Sequence, residues 1–479
     1  MTRTTCIKNA AWIAAWDEDA ESHRYLHDAD VVFTGNTITF VGKGYDGTTD
    51  EVIDGKDLFV MPGLVNLHCH PYNQPIYKGY REELGNPRLY MSALYDGTAV
   101  LQTDDEGRQA CVEYALSELL LSGVTTLTDL SIIYPGWIDW LVKSGVRAYV
   151  APMYRSASWY TEDGNQVKYR WDEPAGRRAF DEAVSIVETA EKHPSGRLSA
   201  MLVPAQVETC TPDLLKDSLA LAKERGWPIQ IHAGQSVVEF HEMTRRHGIT
   251  PVQWLHQMGF LRPDAIVGHC LLLDTHSWVY WPTQDDLRII AETETSIAHC
   301  PVVFSRYGMT MESLGGYIRA GVNMGIGTDT HPHNMLEEMR TAAILSRVAE
   351  KQMHGITTAD VFHAATVGSA KALGRDDIGR LTPGAKADIV LVDTSHPAMK
   401  PVRDPLRSLI YTAAERAVRD VFVDGVKVVA NGKLLTLDQQ AAGEKLEDAQ
   451  RRAEKGVASL HHAKWTAEQA SPLSLPVVD

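Results

Sequence analysis

The sequence has no Cys-x-x-Cys, and its six cysteines (Cys6, Cys69, Cys111, Cys210, Cys270 and Cys300) are scattered through 479 residues. That excludes a zinc ribbon and offers no disulfide framework, so buried free thiols are expected. No apolar run approaches the ~20 residues needed to span a bilayer. Residues 1–17 lack a basic segment followed by an apolar core and a small-residue cleavage site. No secretory signal is therefore expected, and the localisation read from these absences is cytoplasmic. Positive charge is in deficit: 46 Lys and Arg stand against 62 Asp and Glu, a formal net charge of −16. Such a chain suits neither nucleic acid nor an anionic membrane surface, and neither is expected as a partner. No internal repeat or low-complexity tract is present. What remains is an ordinary globular composition, 44% hydrophobic, long enough for one large domain and a smaller one. A small-molecule substrate is the partner expected.

Residues 1–60 carry short β-type runs punctuated by Gly35-Asn36 and by glycines at 42, 44 and 47. The apolar run 64–67 follows, bounded by Pro62-Gly63 and Pro71, which predicts a buried strand. Its end carries His68 and His70, and their i, i+2 spacing turns both imidazoles to one side. A second such pair, His331 and His333, shows that spacing alone is a weak signal. Apolar positions at helical spacing over 104–121 stop at Gly123, a C′ glycine. Strands are then expected at 124–130, 146–152, 198–204, 228–232, 265–269, 295–299 and 322–329, with helical stretches such as 212–225 between them.

With 64–68 that makes eight strands alternating with helices. This is the pattern of an α/β, (β/α)8 TIM-type barrel, with a doubly wound sheet as the alternative. After 380 the pattern returns to β, with Asp424-Gly425 as a hairpin turn. The expected organisation is a barrel over 61–379 and a small β-sandwich domain built from both chain ends, 1–60 and 380–435. Residues 436–479 form a C-terminal helix and tail.

In a parallel barrel, chemistry sits at the C-terminal ends of the strands. Here those ends carry His68, His70, His232, His269, His299 and Asp329. Histidines and one carboxylate converging from separate strands suit zinc, iron(II) or cobalt better than calcium or magnesium. Asp329, the acidic member of the set, is the candidate to accept a water proton and deliver it to a leaving group.

The chain resembles the metal-dependent amidohydrolase superfamily. The match is carried by Pro62-Gly63-Leu64-Val65-Asn66-Leu67-His68-Cys69-His70, Ile297-Ala298-His299-Cys300-Pro301-Val302, Gly325-Ile326-Gly327-Thr328-Asp329 and Pro383-Gly384-Ala385-Lys386-Ala387-Asp388, and covers nearly the whole chain. It is similar to the branch of S-adenosylhomocysteine and guanine-type deaminases, triazine hydrolases, and phenylurea and thiocarbamate (molinate) hydrolases. The resemblance implies one divalent metal held by His68, His70, His232 and Asp329: zinc first, with iron(II), cobalt or manganese as alternatives. It places the second catalytic residue, His269, beside the attacking water or the substrate oxygen. Two-metal members often carry a carboxylated lysine at the end of strand four. Residues 202–206 read Leu-Val-Pro-Ala-Gln, which favours one metal. A homo-oligomer is also implied.

The departures from the branch direct the functional reading. Its deaminases carry His-x-x-Glu at strand five, and the Glu protonates a ring nitrogen. Here the stretch is His232-Ala233-Gly234-Gln235, and glutamine cannot donate and recover a proton. Glu239 and His241 are the nearby groups able to substitute. The Pro-His after strand four is Pro204-Ala205, and the Ser-Asn after strand seven is Val303-Phe304. A pocket lined by Gln235, Val303 and Phe304 suits a less polar substrate. Trp159, in a loop after strand three, is the lid candidate, and His331 is placed at the pocket mouth. The expected function is hydrolysis, by a metal-activated water, of a carbonyl C–N or related bond in a small, fairly apolar amide, urea or (thio)carbamate. The alternative is an aminohydrolase or dehalogenating hydrolase acting on an N-heterocycle such as a triazine or purine. A metal-free scaffold, the remaining class, is disfavoured because every candidate ligand is retained.

Overall fold

Eight short parallel strands, almost wholly buried, occupy the centre of the computed structural model, which describes residues 3–80 and 93–478. They form two four-stranded sheets. One runs Leu198–Ala200, Arg147–Val150, Val124–Asp129, Leu64–Cys69; the other runs Ile229–Ala233, Ala265–His269, Ser296–His299, Met324–Ile326. Their edges meet through isolated bridges: Leu202 with Ile229 and Gln206 with His232 on one side, Cys69 with Asp329 on the other. Helices cover the sheets, so the fold is a TIM-barrel-type α/β fold. Burial on both faces is why these strands read as near-continuous apolar runs.

The helix Asp105–Leu121 begins where Asp104 accepts the Gly107 N–H (2.8 Å), a cap of about 1 kcal/mol. It ends before Gly123, whose φ of 89° turns the chain directly into Val124. The Gly123 carbonyl also takes the Leu64 N–H (2.9 Å), which sets the start of the first barrel strand. The last strand is shorter than expected. Gly327 N–H is given to the His299 carbonyl (2.9 Å) and Asp329 N–H to the His68 carbonyl (2.8 Å), so the ladder with Ser296–His299 ends at Ile326.

Both chain ends meet in one sheet. Leu58–Pro62 pairs antiparallel with Ile389–Asp393 and parallel with Trp12–Asp17, within a seven-stranded sheet. A four-stranded sheet packs on it through Ile7, Val31, Ile38, Ile13, Val60 and Phe422. Thr4–Ala10 and Trp12–Asp17 are successive strands that enter different sheets after Asn9 takes a φ of 52°. Arg147 ties barrel to terminal sheet: its buried guanidinium reaches Asp388 (3.1 Å) and Asp424 (2.9 Å).

The segment after the third barrel strand also differs from expectation. The stretch holding Trp159 is a hairpin, Ala157–Tyr160 paired with Lys168–Trp171, rather than a loop. The C-terminal helix is Gln439–Glu454, followed by a short turn of helix Val457–Leu460. All six cysteines are buried and unpaired, and no described helix is long and apolar enough to cross a membrane.

Candidate metal centre and substrate cavity

Three histidines at strand ends have their outer nitrogens committed. His70 Nδ1 donates to the Leu130 carbonyl and His232 Nδ1 to the Ala205 carbonyl, each at 2.6 Å. His68 Nδ1 bonds Gln230 Oε1, and the Gln230 amide is oriented by donating to the Leu67 carbonyl (3.1 Å). An imidazole that donates from Nδ1 presents a lone pair at Nε2. His68 sits in a cradle with no room to spare. A Cβ at Gly268 would lie 2.9 Å from its Cε1, and one at Gly327 would lie 2.6 Å from its Cβ.

The free nitrogens converge on Asp329. Its Oδ1 lies 3.2 Å from His70 Nε2 and 3.5 Å from His68 Nε2, and His232 Nε2 is 3.2 Å from His70 Nε2. Donor atoms of His68, His70 and Asp329 all lie within 4.8 Å of one another, as do those of His68, His232 and His269. His68 Nε2 is buried with no hydrogen-bond partner among the described residues. Unprotonated imidazole nitrogens repel at such distances, and a divalent cation among them turns the repulsion into coordination. The donor set therefore fits one borderline-soft cation.

Backbone strain concentrates at the same place. His269 (φ 74°), Cys270 (φ 47°) and Asp329 (φ 55°) are left-handed without being glycine, at a cost of about 1–3 kcal/mol each. For Asp329 the geometry is held by two backbone bonds to the first strand, Asp329 N–H to the His68 carbonyl and His70 N–H to the Asp329 carbonyl.

The electrostatics suit ligands rather than charged histidines. Burial holds His68 below its ordinary value, and burial with neighbouring imidazoles holds His232 well below. Burial likewise keeps His269 neutral. Burial alone would raise Asp329, but the imidazoles of His269, His68 and His70 around it hold its carboxyl well below the ordinary carboxylate value.

A cavity of about 320 Å³ opens onto His70, His232, His269 and Asp329. Gln235, Val303, Phe304 and Trp159 line it. His331 is a correction: it is not among the lining residues. Past the left-handed turn at Asp329, its carbonyl is taken by the Arg306 guanidinium. Glu239 and His241 do not line the cavity either: Glu239 is buried behind the wall, and His241 is exposed on the helix Val237–His247.

The sequence reading missed the lining residues Tyr72, Tyr95, Arg155, Gln206 and Tyr307. It also missed Gln230, though that residue stands at i−2 from His232 on one strand, where the two side chains share a side. Trp137 belongs to the core. It is buried and donates to Asp129 (2.7 Å), whose carboxyl burial pushes up to about 6.

A parallel α/β barrel with convergent histidines and an aspartate at its strand ends is the arrangement of a metal-dependent hydrolase. The chain belongs to the amidohydrolase family, whose profile matches residues 59–428. It is 28% identical over 459 residues to a 5'-deoxyadenosine deaminase of Methanosarcina mazei, covering 95% of this chain and 99% of that one. It is 30% identical over 416 residues to a 5-methylthioadenosine/S-adenosylhomocysteine deaminase of Thermococcus onnurineus, covering 86% and 90%. Among solved structures, a triazine hydrolase variant superposes with a TM-score of 0.81 at 22% identity, over 94% of this chain and 99% of that one. An adenosine deaminase from Xanthomonas campestris with bound zinc does so with a TM-score of 0.81 at 23% identity, over 94% and 98%.

Proposed function

We propose that this chain is a single-metal hydrolase that cleaves a carbonyl C–N or related bond in a small, neutral, fairly apolar amide, urea or (thio)carbamate. One observation carries the reading: the side chain facing the cavity next after His232 is Gln235, while the acid nearest to it, Glu239, spends both oxygens on backbone N–H groups.

His68, His70, His232 and Asp329 are the residues to hold the ion, and zinc, present in the Xanthomonas structure, suits them. When bound, the ion supplies Lewis acidity and a water acidified toward neutral pH. Asp329 is the only carboxylate among the described residues lining the cavity. Ionised and held by the first strand, it takes the proton of the attacking water and returns it to the departing nitrogen. His269, neutral and buried, donates a hydrogen bond to the oxygen that gains charge. One carboxylate suffices for this cycle, because a carbonyl substrate needs one proton moved to its leaving group. Val303, Phe304 and Trp159 give the substrate an apolar wall.

A second reading, an aminohydrolase or dehalogenating hydrolase of a purine or triazine, is favoured by the relatives' names. It asks for an acid where Gln235 stands. A mass-spectrometric product screen of zinc-loaded protein separates the readings. Aryl ureas, thiocarbamates and anilides are offered beside 5'-deoxyadenosine and aminotriazines. Amine release from the first group supports the proposal; ring deamination or dehalogenation of the second supports the alternative.

A further inference from the structure

We infer that Glu239 is a positioning residue that aims the Gln235 side-chain amide at a hydrogen-bond acceptor on the substrate. The helix Val237–His247 starts at Ser236, whose hydroxyl accepts the Glu239 N–H (3.0 Å). A glutamate at this position ordinarily reaches back to the cap residue's own N–H. Glu239 takes the two N–H groups before it, Gly234 and Gln235, each at 2.8 Å. The turn is held from its other side as well. The Gly234 carbonyl accepts from Leu271 (3.0 Å) and Leu272 (2.9 Å), and Gly234 itself is left-handed at φ 65°. A Cβ there would lie 3.2 Å from the Leu272 carbonyl oxygen, so the left-handed turn is packed closely against the Cys270–Leu272 backbone.

That conformation sends Gln235 into the cavity. The side chain is 5% exposed, and its amide nitrogen is buried with no hydrogen-bond partner among the described residues. A buried donor left unmade is costly, and an acceptor atom on the cavity's ligand removes the cost. Nothing about capping the helix requires the arrangement beneath it. Ser236 already caps the helix, and Glu239 is fully buried near a second buried carboxyl, Glu208, a placement that penalises ionised groups. The network extends along the cavity wall. Ser236 Oγ bonds Tyr95 Oη (2.5 Å), which ties one aromatic side chain of the wall to the turn, and beside it Trp159 Nε1 donates to Glu208 (3.0 Å). The acceptor is a carbonyl or thiocarbonyl group if the substrate is a urea or carbamate, and a ring nitrogen if it is a heterocycle. The inference rests on Gln235 facing the substrate, not on which of those is turned over.

Two readouts test it. The first is a crystal structure of Glu239→Gln, or of Glu239→Asp should the amide variant fail to fold. Gln235 is expected to leave the cavity-facing rotamer; an unmoved Gln235 overturns the inference. The second is a double-mutant cycle on kcat/KM with whichever of an aryl urea or 5'-deoxyadenosine the enzyme accepts. Gln235→Ala and Glu239→Gln are each expected to cost about tenfold, and the pair together no more than about twice the larger single loss. Independent losses multiplying to about a hundredfold, as a merely structural role for Glu239 produces, overturn the inference.

Discussion

His70 Nε2 and His232 Nε2 lie 3.2 Å apart, and each ring has already given its Nδ1 proton to a backbone carbonyl. Two lone pairs held at that distance, with the Asp329 carboxylate alongside, are a cation site built from the fold outward. Metal content is thus the first expectation. Purified protein supplied with zinc should carry one ion per chain, and a chelator should abolish activity and lower the melting temperature. Gln230→Ala, which removes the oxygen that orients His68, should weaken zinc affinity about 10–100-fold by competition titration. Unchanged affinity would mean that His68 needs no such support.

In the proposed mechanism Asp329 and His269 have separable roles. Asp329→Asn should reduce kcat by at least about 10²-fold, because it removes a metal ligand and the proton carrier together. His269→Ala should reduce kcat about 10²–10³-fold with zinc content unchanged, the signature of a lost oxyanion donor. Loss of zinc from His269→Ala would instead make His269 a ligand.

The barrel and the terminal sheet are joined through one buried guanidinium. Arg147→Ala leaves Asp388 and Asp424 uncompensated and should cost about 3–5 kcal/mol in denaturant unfolding. A change under about 1 kcal/mol would show that the two parts hold together by apolar packing alone.

Much of this was legible in the sequence because barrel strands are buried on both faces. The run 64–67 announced its strand, and the polar residue ending each run announced the site. His68, His70, His232, His269 and Asp329 came from that rule, together with a family resemblance that the whole-chain match bears out. Cavity walls are harder to read. Tyr95 and Arg155 arrive from segments whose local pattern says nothing of direction, and Trp159 sits on a hairpin fixed by pairing with Tyr169, a contact local propensity does not specify. His331 misled because proximity in sequence to Asp329 ignores the left-handed turn there and the Arg306 tether. Glu239 was noticed as a spare acid, but its use as a backbone clamp depends on the Gly234 conformation.

Glu208 gives a stability profile with a definite sign. Burial pushes its carboxyl from an ordinary 4.5 up to about 7. The folded state therefore holds the proton to higher pH than the unfolded chain. Its contribution is full below the ordinary carboxylate range and is lost as pH rises toward neutral. Glu208→Gln should flatten that decline. A wild-type protein whose stability rises between pH 5 and pH 7 in step with the variant's would show that Glu208 is ionised in the fold.

The most direct test of the functional account is the ratio of kcat/KM for an aryl urea to that for 5'-deoxyadenosine, measured with zinc-loaded wild type and with Gln235→Glu. The expected wild type cleaves the urea and leaves the purine untouched, and the variant loses urea hydrolysis while its ratio moves toward the purine. A wild type that deaminates 5'-deoxyadenosine and ignores ureas would contradict the proposed function.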